Sequence, residues 1–292
     1  MGGRDRTLAP QVDRRVKARM KISLCNEVLA DYGFARQCEL ASQMGYDGLE
    51  VAPMTLSPEP HLLSAQRRSE IRRMAEDAGV PVTGLHYLLR APEGLSITAI
   101  DPAVRARTID VIRRLIALCN DLGGTMIVHG SPAQRRLEPG HETESYRYGV
   151  ECWAAIAKDA EAAGVTYCIE PLHQPDANFV NTVEEAAGIV RQIGSPAVRT
   201  MIDCSAASIW EKQSVPDLIR QWMPSGLIAH MHFNDTNRRG PGEGALEIAP
   251  IVAALRETGY GGNASIEPFI YIPDGATCAA RCIGYMRGVL SA

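Results

Sequence analysis

One phrase recurs along the 292-residue chain: a segment with helical periodicity, a glycine, three or four apolar residues and then a polar residue. It is written MGYDGLEV, AGVPVTGLH, LGGTMIVHG, AGVTYCIEP, IGSPAVRTMID and TGYGGNASIEP. The glycines are Gly45, Gly79, Gly123, Gly164, Gly194 and Gly259. Each stands where a left-handed helix C-cap is favoured. The pattern predicts helices over residues 34–44, 65–78, 102–122, 144–163, 182–193 and 249–258.

Eight short apolar runs alternate with the helical segments. They predict strands at residues 21–24, 48–51, 82–85, 126–128, 166–169, 199–202, 228–232 and 264–266. Short runs of this kind suit a buried parallel sheet, and eight strand–helix units in a chain of this length favour a closed (β/α)8 TIM barrel. The alternative is a doubly wound open sheet, which would normally carry a glycine-rich loop after its first strand. The stretch SLCNEVLADYG contains no such loop, so we expect an α/β barrel in a single domain over residues 20–292 and a disordered arm at 1–19.

Charge and composition narrow the classes of partner. A formal net charge of −4 gives no basic footprint for nucleic acid. No apolar run approaches the roughly 18 residues of a membrane span, and the N-terminus lacks the apolar segment of a secretory signal. The eight cysteines contain no Cys-x-x-Cys pair, which argues against a disulfide framework or a zinc knuckle. We therefore predict a cytoplasmic protein that binds neither nucleic acid nor membrane, and we leave a homo-oligomer open.

Seven of the eight predicted strands end on an acid or a histidine. These residues are Glu50, His86, His129, Glu170, Asp203, His232 and Glu267. In a TIM barrel these strand ends converge on the active site. Buried charges are costly unless they are paired, and a shared cation is the simplest partner for several carboxylates.

The best metal-binding set lies on the last four strands: Glu170, Asp203, His232 and Glu267. Three carboxylates and one imidazole form a hard, mixed site suited to one divalent cation, which can be Mn²⁺, Mg²⁺ or Co²⁺. Of these we expect Mn²⁺. His230 lies two residues deeper than His232 and is expected to orient a ligand or fill the core.

The motifs YCIEPLH, TMIDCS, HMHFNDTNRRGPGEG and ASIEPF resemble the xylose-isomerase-like superfamily of TIM barrels, nearest the D-tagatose and D-psicose 3-epimerases. The resemblance implies that Glu170, Asp203, His232 and Glu267 bind the metal and that Arg238 binds substrate. It also implies that Glu170 and Glu267 form the acid–base pair. Two positions depart from the epimerase pattern: Ala206 replaces a histidine, and Asp176 replaces a substrate-contacting glutamate.

The resemblance implies a sugar (ketose) epimerase or isomerase acting on an unphosphorylated ketose or related polyol. One glutamate would remove the proton next to the carbonyl, giving a metal-stabilised enediolate, and the other would return a proton to the opposite face. The expected substrate-binding residues are Arg238, His86, His129, Asp176 and Glu50.

Three alternatives belong to other functional classes. A lyase or dehydratase acting on a keto-sugar, keto-inositol or keto-glycoside would share the first proton abstraction, so the sequence does not separate it. A non-catalytic sugar-binding barrel would be free to lose one of the four ligands, yet all four are present. An endonuclease IV-like nuclease needs a three-metal cluster, and Ala206, Thr236 and Arg238 stand where three of its ligands belong.

Overall fold

The computed structural model describes residues 20–292, and the predicted arm at 1–19 lies outside the described residues. Its eight parallel strands form a closed barrel in sequence order. They are β1 (Lys21–Cys25), β2 (Gly48–Val51), β3 (Val82–Leu85), β4 (Met126–His129), β5 (Thr166–Ile169), β6 (Val198–Asp203), β7 (Ile228–Phe233) and β8 (Asn263–Ile266). The barrel closes between β1 and β8, where Leu24 pairs with Ile266. The predicted TIM barrel is confirmed, and the open doubly wound sheet is wrong.

The helices surround the barrel. They are α1 (Phe34–Met44), α2 (Ala65–Asp77), α3 (Pro102–Asp121), α4 (Glu142–Ala163), α5 (Val183–Ile193), α6 (Cys204–Trp210), α7 (Val215–Trp222), α8 (Ile248–Glu257) and α9 (Gly275–Ser291). The six predicted helices are all present, with ends that move by at most two residues. No bounds were predicted from the sequence for helices α6, α7 and α9.

The glycine repeat has the conformation that its position requires. All six repeat glycines have positive φ, between 65° at Gly164 and 90° at Gly45, which a residue with a Cβ rarely adopts. At the other helix ends, Asp101 caps α3 by accepting a hydrogen bond from the Ala103 amide, and Thr182 caps α5 through the Glu185 amide. Local chain chemistry therefore sets where most helices begin and end.

The core has two parts. The main cluster packs the helices against the outside of the strands, and a small separate cluster contains Val128, Cys168 and Met201. Cys168 and Met201 lie two residues before Glu170 and Asp203, on the same face of their strands. The polar strand ends therefore stand on a small apolar layer. Within residues 20–292, no helix is long and apolar enough to cross a membrane.

Candidate active site

The four predicted metal ligands come together at the carboxyl ends of consecutive strands β5 to β8. One ligand atom from each of Glu170, Asp203, His232 and Glu267 lies within 4.8 Å of the other three. His232 Nδ1 lies 2.9 Å from Glu267 Oε2 and 3.4 Å from Glu170 Oε1. All four residues are at most 5% exposed. The structure thus forms one compact, buried cluster of carboxylates around an imidazole.

Asp203 is held rigidly at the start of α6. Its Oδ1 accepts a hydrogen bond from the Ala206 amide at 2.6 Å, and its Oδ2 accepts one from Asn234 Nδ2 at 2.6 Å. Asn234 is itself fixed, because its Oδ1 accepts from the Ser205 amide at 2.8 Å. Asn234 was not predicted from the sequence. A signal was available, because residues two apart in an extended chain lie on the same side, and Asn234 is two residues after His232.

The cluster holds more negative charge than its imidazole can balance. Burial raises the pKa of Glu267 to about 7, with the nearby charge of Glu170 adding to the effect and His232 opposing it. Burial and the charge of Glu170 raise the pKa of Asp203 to about 6. Burial opposes protonation of His232, but Glu267 and Glu50 outweigh it and raise the imidazole pKa well above its usual value.

The donor set fits a divalent cation. It offers oxygen from three carboxylates and one imidazole nitrogen, the ligands that Mn²⁺ and Mg²⁺ accept. Glu170 Oε1 is buried and accepts no hydrogen bond from any residue in the described part of the chain. A cation placed among these atoms would satisfy that oxygen and the excess negative charge together.

Glu50 lies behind His232 and outside the lining of the cavity. Its Oε1 is 3.2 Å from His232 Nε2, and its Oε2 is 2.8 Å from His230 Nε2 and accepts a hydrogen bond from the Ser265 hydroxyl. Burial opposes ionisation of Glu50, but His230 and His232 hold its pKa well below the usual value. A carboxylate on one imidazole nitrogen orients the other nitrogen toward a metal. The predicted substrate contact of Glu50 is not favoured by this position, which suits an orienting role.

His86 lies behind Glu267. It is fully buried, with Nε2 2.7 Å from Glu27 Oε2 and 3.9 Å from Glu267 Oε1. Burial opposes its protonation, but the charge of Glu27 outweighs this and raises the pKa of His86 to about 9. Glu27 had no signal in the sequence, because it lies inside the turn after β1 and not at the tip of a strand.

His129 is also fully buried and lies within the barrel wall. Its Nδ1 accepts hydrogen bonds from Trp153 Nε1 at 2.9 Å and from the Tyr167 hydroxyl at 2.7 Å. Burial, and then the charge of Arg135, lower the pKa of His129 well below its usual value. Neither His86 nor His129 lines the cavity, so the substrate contacts predicted for them are not favoured by their positions.

A cavity of about 380 Å³ opens above the cluster. Its lining includes the ligands Glu170, Asp203 and Glu267 and the side chains of Tyr87, Arg90, Gln134, Arg136, His173, Asp176, Ala206, Arg238 and Phe269. Arg238 and Asp176 face each other, with Nη1 4.0 Å from Oδ2. The structure therefore places the predicted substrate residues Arg238 and Asp176 in the same cavity as three of the four predicted ligands.

Backbone strain is concentrated around this cavity. Tyr87, Ser131 and Arg238 have φ values of 50°, 32° and 65° although none of them is glycine, and such strain persists only where neighbouring contacts impose it. At Arg238 the contacts are visible: its amide donates to the Asp235 carbonyl, and its carbonyl accepts from the amides of Phe269 and Ile270 at 2.8 and 2.9 Å. The loop after β7 is thereby tied to the segment after β8.

Comparison with known proteins places this geometry in context. The family described as xylose isomerase-like TIM barrel matches residues 38–283. The D-psicose 3-epimerase of Ruminiclostridium cellulolyticum is 30% identical over 245 residues, covering 82% of this chain and 79% of that protein. The D-psicose 3-epimerase of Agrobacterium fabrum is 29% identical over 244 residues, covering 81% and 80%.

Solved structures agree with the sequence relatives. A D-psicose 3-epimerase crystallised in the presence of D-fructose superimposes with a TM-score of 0.79 at 25% identity, covering 94% of this chain and all of that one (100%). A 3-keto-D-glucoside 4-epimerase from E. coli has the same TM-score of 0.79 at 20% identity, covering 92% and 100%. At that lower identity the likeness is one of fold.

Proposed function

This chain belongs to the xylose isomerase-like TIM barrel family, and we propose that it is a divalent-metal-dependent epimerase or isomerase of a ketose or related keto-sugar. The observation that carries the proposal is the cluster of Glu170, Asp203, His232 and Glu267, whose ligand atoms lie within 4.8 Å of one another at the base of the cavity. The 3-epimerase activity named for relatives that cover four fifths of the chain supports the carbohydrate class.

Glu170, Asp203, His232 and Glu267 would hold the cation. When bound, it would supply Lewis-acid stabilisation of the negative charge that develops on a substrate carbonyl oxygen. Asp203 accepts hydrogen bonds from the Ala206 amide and from Asn234, which fix its carboxylate at the start of α6, and the proposal assigns it the role of a ligand without proton transfer.

Glu170 and Glu267 are the acid–base pair in this proposal. Both line the cavity, and they come from β5 and β8, at the two ends of the four-strand arc that carries the cluster. One carboxylate removes the proton from the carbon next to the carbonyl, and the other returns a proton to the opposite face, which inverts that carbon.

Substrate recognition is assigned to the cavity mouth. Arg238 offers a planar set of donors to sugar hydroxyls, and its guanidinium carbon lies 5.1 Å from the centre of the Phe269 ring. Phe269 packs edge-on against Tyr87 at 6.2 Å, which gives the cavity an apolar wall. Because Ala206 and Asp176 replace the histidine and glutamate of the D-psicose type, we expect a preferred ketose other than D-psicose or D-tagatose.

Hydrogen exchange with solvent tests the proposal. The Mn²⁺-loaded protein is incubated in deuterated water with D-psicose, D-tagatose, L-ribulose, a keto-inositol and a 3-keto-glucoside. Deuterium on a retained carbon skeleton is the expected result, and Glu267→Gln should slow its incorporation about a hundredfold or more. Loss of water or of an aglycone would identify a lyase instead, and absence of exchange with every compound would contradict an enzyme of this class.

A further inference from the structure

A second cluster of metal-binding groups lies away from the cavity, between α9 and the loop after β7. It consists of Glu243, Cys278 and Cys282, and we refer to it as the thiol cluster. One ligand atom of each residue lies within 4.8 Å of the other two. The two cysteines are one helical turn apart on α9, and both are fully buried. No step of the proposed function uses any of the three residues.

The distances within the thiol cluster match those of a tetrahedral zinc site. Two thiolates about 2.3 Å from Zn²⁺ at a tetrahedral angle are about 3.8 Å apart, and a thiolate and a carboxylate oxygen are roughly 3.5 Å apart. Cys278 Sγ lies 3.9 Å from Cys282 Sγ and 3.3 Å from Glu243 Oε2. Two of the three distances therefore already match ligands around one ion, and the third pair, Cys282 and Glu243, lies within 4.8 Å.

Nearby arginines determine which Glu243 oxygen is free to bind a metal, and they balance the negative charge of the thiol cluster. Glu243 Oε1 accepts from Arg239 Nη2 at 2.7 Å and from Arg281 Nη1 at 3.5 Å, which leaves Oε2 facing Cys278. Two thiolates and one carboxylate exceed the charge of a divalent ion by one negative charge, and Arg239 can neutralise it. Buried charges need this kind of balance.

Close packing of the loop after β7 against α9 brings the Glu243 carboxylate to the two cysteines. A Cβ on Gly240 would lie 1.9 Å from Cys282 Sγ, so only glycine lets the loop approach α9 so closely. The Glu243 amide donates to the Gly240 carbonyl at 3.0 Å, which turns the acid back toward the cysteines. The Cys-x-x-x-Cys spacing alone does not reveal this site, because the third ligand comes from 35 residues before Cys278.

We propose that the thiol cluster is a binding site for Zn²⁺, with two thiolates and the Glu243 carboxylate as protein ligands and water in the fourth position. Thiolates favour zinc over the hard cations expected at the strand ends. Bound zinc would tie the loop that contains Arg238 to α9, and would so hold the mouth of the cavity in place. The site stands independently of the proposed function.

Zinc binding at this site should strengthen as the pH rises. Each thiol must lose its proton to bind the metal as a thiolate, so protons compete with Zn²⁺ for the site and the apparent affinity rises with pH.

Cobalt substitution tests the site through a signal that only thiolate ligands give. The reduced full-length protein is titrated with Co²⁺ while the near-ultraviolet thiolate-to-cobalt absorption is recorded, a signal to which the oxygen-rich cluster does not contribute. Because that cluster also suits Co²⁺, we expect the absorption to saturate by two equivalents, to disappear on addition of Zn²⁺ and to report tighter binding at higher pH. Absence of this absorption in the wild-type protein would overturn the proposal.

Variants locate the signal. Cys278→Ser and Cys282→Ser should each lose most of the absorption, whereas Cys38→Ser, at an equally buried cysteine on α1, should retain it. Glu243→Gln keeps both thiolates, so the absorption should remain while Co²⁺ binds about tenfold more weakly or worse. Absorption that survives both cysteine variants would place the site elsewhere. Unchanged affinity in Glu243→Gln would exclude the carboxylate as a ligand.

Discussion

The acidic residues at the strand ends differ in the hydrogen bonds that their carboxylate oxygens make. Asp203 accepts short hydrogen bonds through both carboxylate oxygens, whereas Glu267 Oε2 lies 2.9 Å from His232 Nδ1. Two acids at the same cluster therefore have different expected roles. Asp203 would act as a ligand alone, and Glu267 as both ligand and proton carrier.

Conservative amide variants separate those roles. With saturating Mn²⁺, the kcat of Glu267→Gln should remain about a hundredfold or more below that of the wild-type protein, because the proton-accepting group is gone. Asp203→Asn should recover most of its kcat at high Mn²⁺, since only affinity for the ion is affected. The measurement is kcat as a function of Mn²⁺ concentration. Equal recovery of both variants would mean that Glu267 carries no proton.

Arg238 lies at the mouth, with 56% of its side chain exposed and no hydrogen bond to any of the four predicted ligands in the described structure. Arg238→Ala should therefore raise KM about tenfold, the worth of one hydrogen bond from a charged group, while metal content stays near stoichiometric. Steady-state kinetics and elemental analysis measure the two quantities. Arg113→Ala, at a surface pair with Asp159, is the control. Loss of the metal from Arg238→Ala would show that its role had been misassigned.

Protonation of His129 should make the free energy of unfolding depend on pH. The unfolded chain can bind a proton at this residue near its usual pKa of about 6.5, whereas burial lowers the folded pKa well below 6.5. Its Nδ1 also accepts from an indole N–H that cannot act as an acceptor in return. Protons therefore favour the unfolded state, and the free energy of unfolding should fall as the pH drops below about 6.5.

The size of this effect can be measured by chemical denaturation between about pH 7.5 and 5.5, where each pKa unit of difference is worth up to about 1.4 kcal/mol. His129→Gln should lose less stability over this range than the wild-type protein. His141→Gln, at an exposed position, should follow the wild type. An identical decline in His129→Gln and wild type would remove His129 as the cause.

At the scale of elements, the approach of β4 to β5 shapes the site. Gly130 directly follows β4, and a Cβ there would lie 2.1 Å from Glu170 Oε2. Gly130→Ala should displace the Glu170 carboxylate and weaken Mn²⁺ binding about tenfold or more, with the barrel still folded by circular dichroism. Gly188→Ala on α5 is the matched control, since nothing lies within 4 Å of its added Cβ. Full metal affinity in Gly130→Ala would show that Glu170 is not held by this contact.

The elements that the sequence predicted are those whose ends are marked by local chemistry. Glycine C-caps and the apolar runs after them located eight strands and six helices. The bounds of helix α6 were not predicted because the helix begins directly after β6, with Asp203 serving as its cap and as a predicted ligand. Helix α7 has only eight residues, and α9 contains three glycines, which lower helix propensity.

The sequence predicted the site only through the rule that the active site of a TIM barrel lies at the carboxyl ends of its strands. That rule brought Glu170, Asp203, His232 and Glu267 to one place, but it does not say which way a side chain turns. Glu50 and His86 lie behind the cluster, and His129 contacts Trp153 of α4. Their partners are far away in sequence, such as Glu27 at 59 residues from His86 and His230 at 180 residues from Glu50. Contacts of that kind depend on the packed fold, and no local pattern indicates them.

At the scale of the whole molecule, the four predicted ligands lie on β5 to β8, so a bound cation would cross-link half of the barrel. An ion that binds only the folded state stabilises it by about 2.7 kcal/mol at a hundredfold excess over its Kd. For a chain of this size such a gain raises Tm by roughly 5 °C. Removal of metal should therefore lower the Tm of the entire protein, and not only its activity.

The thiol cluster would respond to the same chelator, so the experiment uses the Cys282→Ser variant, in which that site has lost a ligand. Thermal unfolding is followed by circular dichroism after EDTA treatment and again after addition of Mn²⁺ at about a hundredfold excess over its Kd. We expect Tm to rise by roughly 5 °C on addition of Mn²⁺, and by much less when Asp203→Asn is added to the same background. A Tm that does not respond to Mn²⁺ would show that no cation joins these four strands.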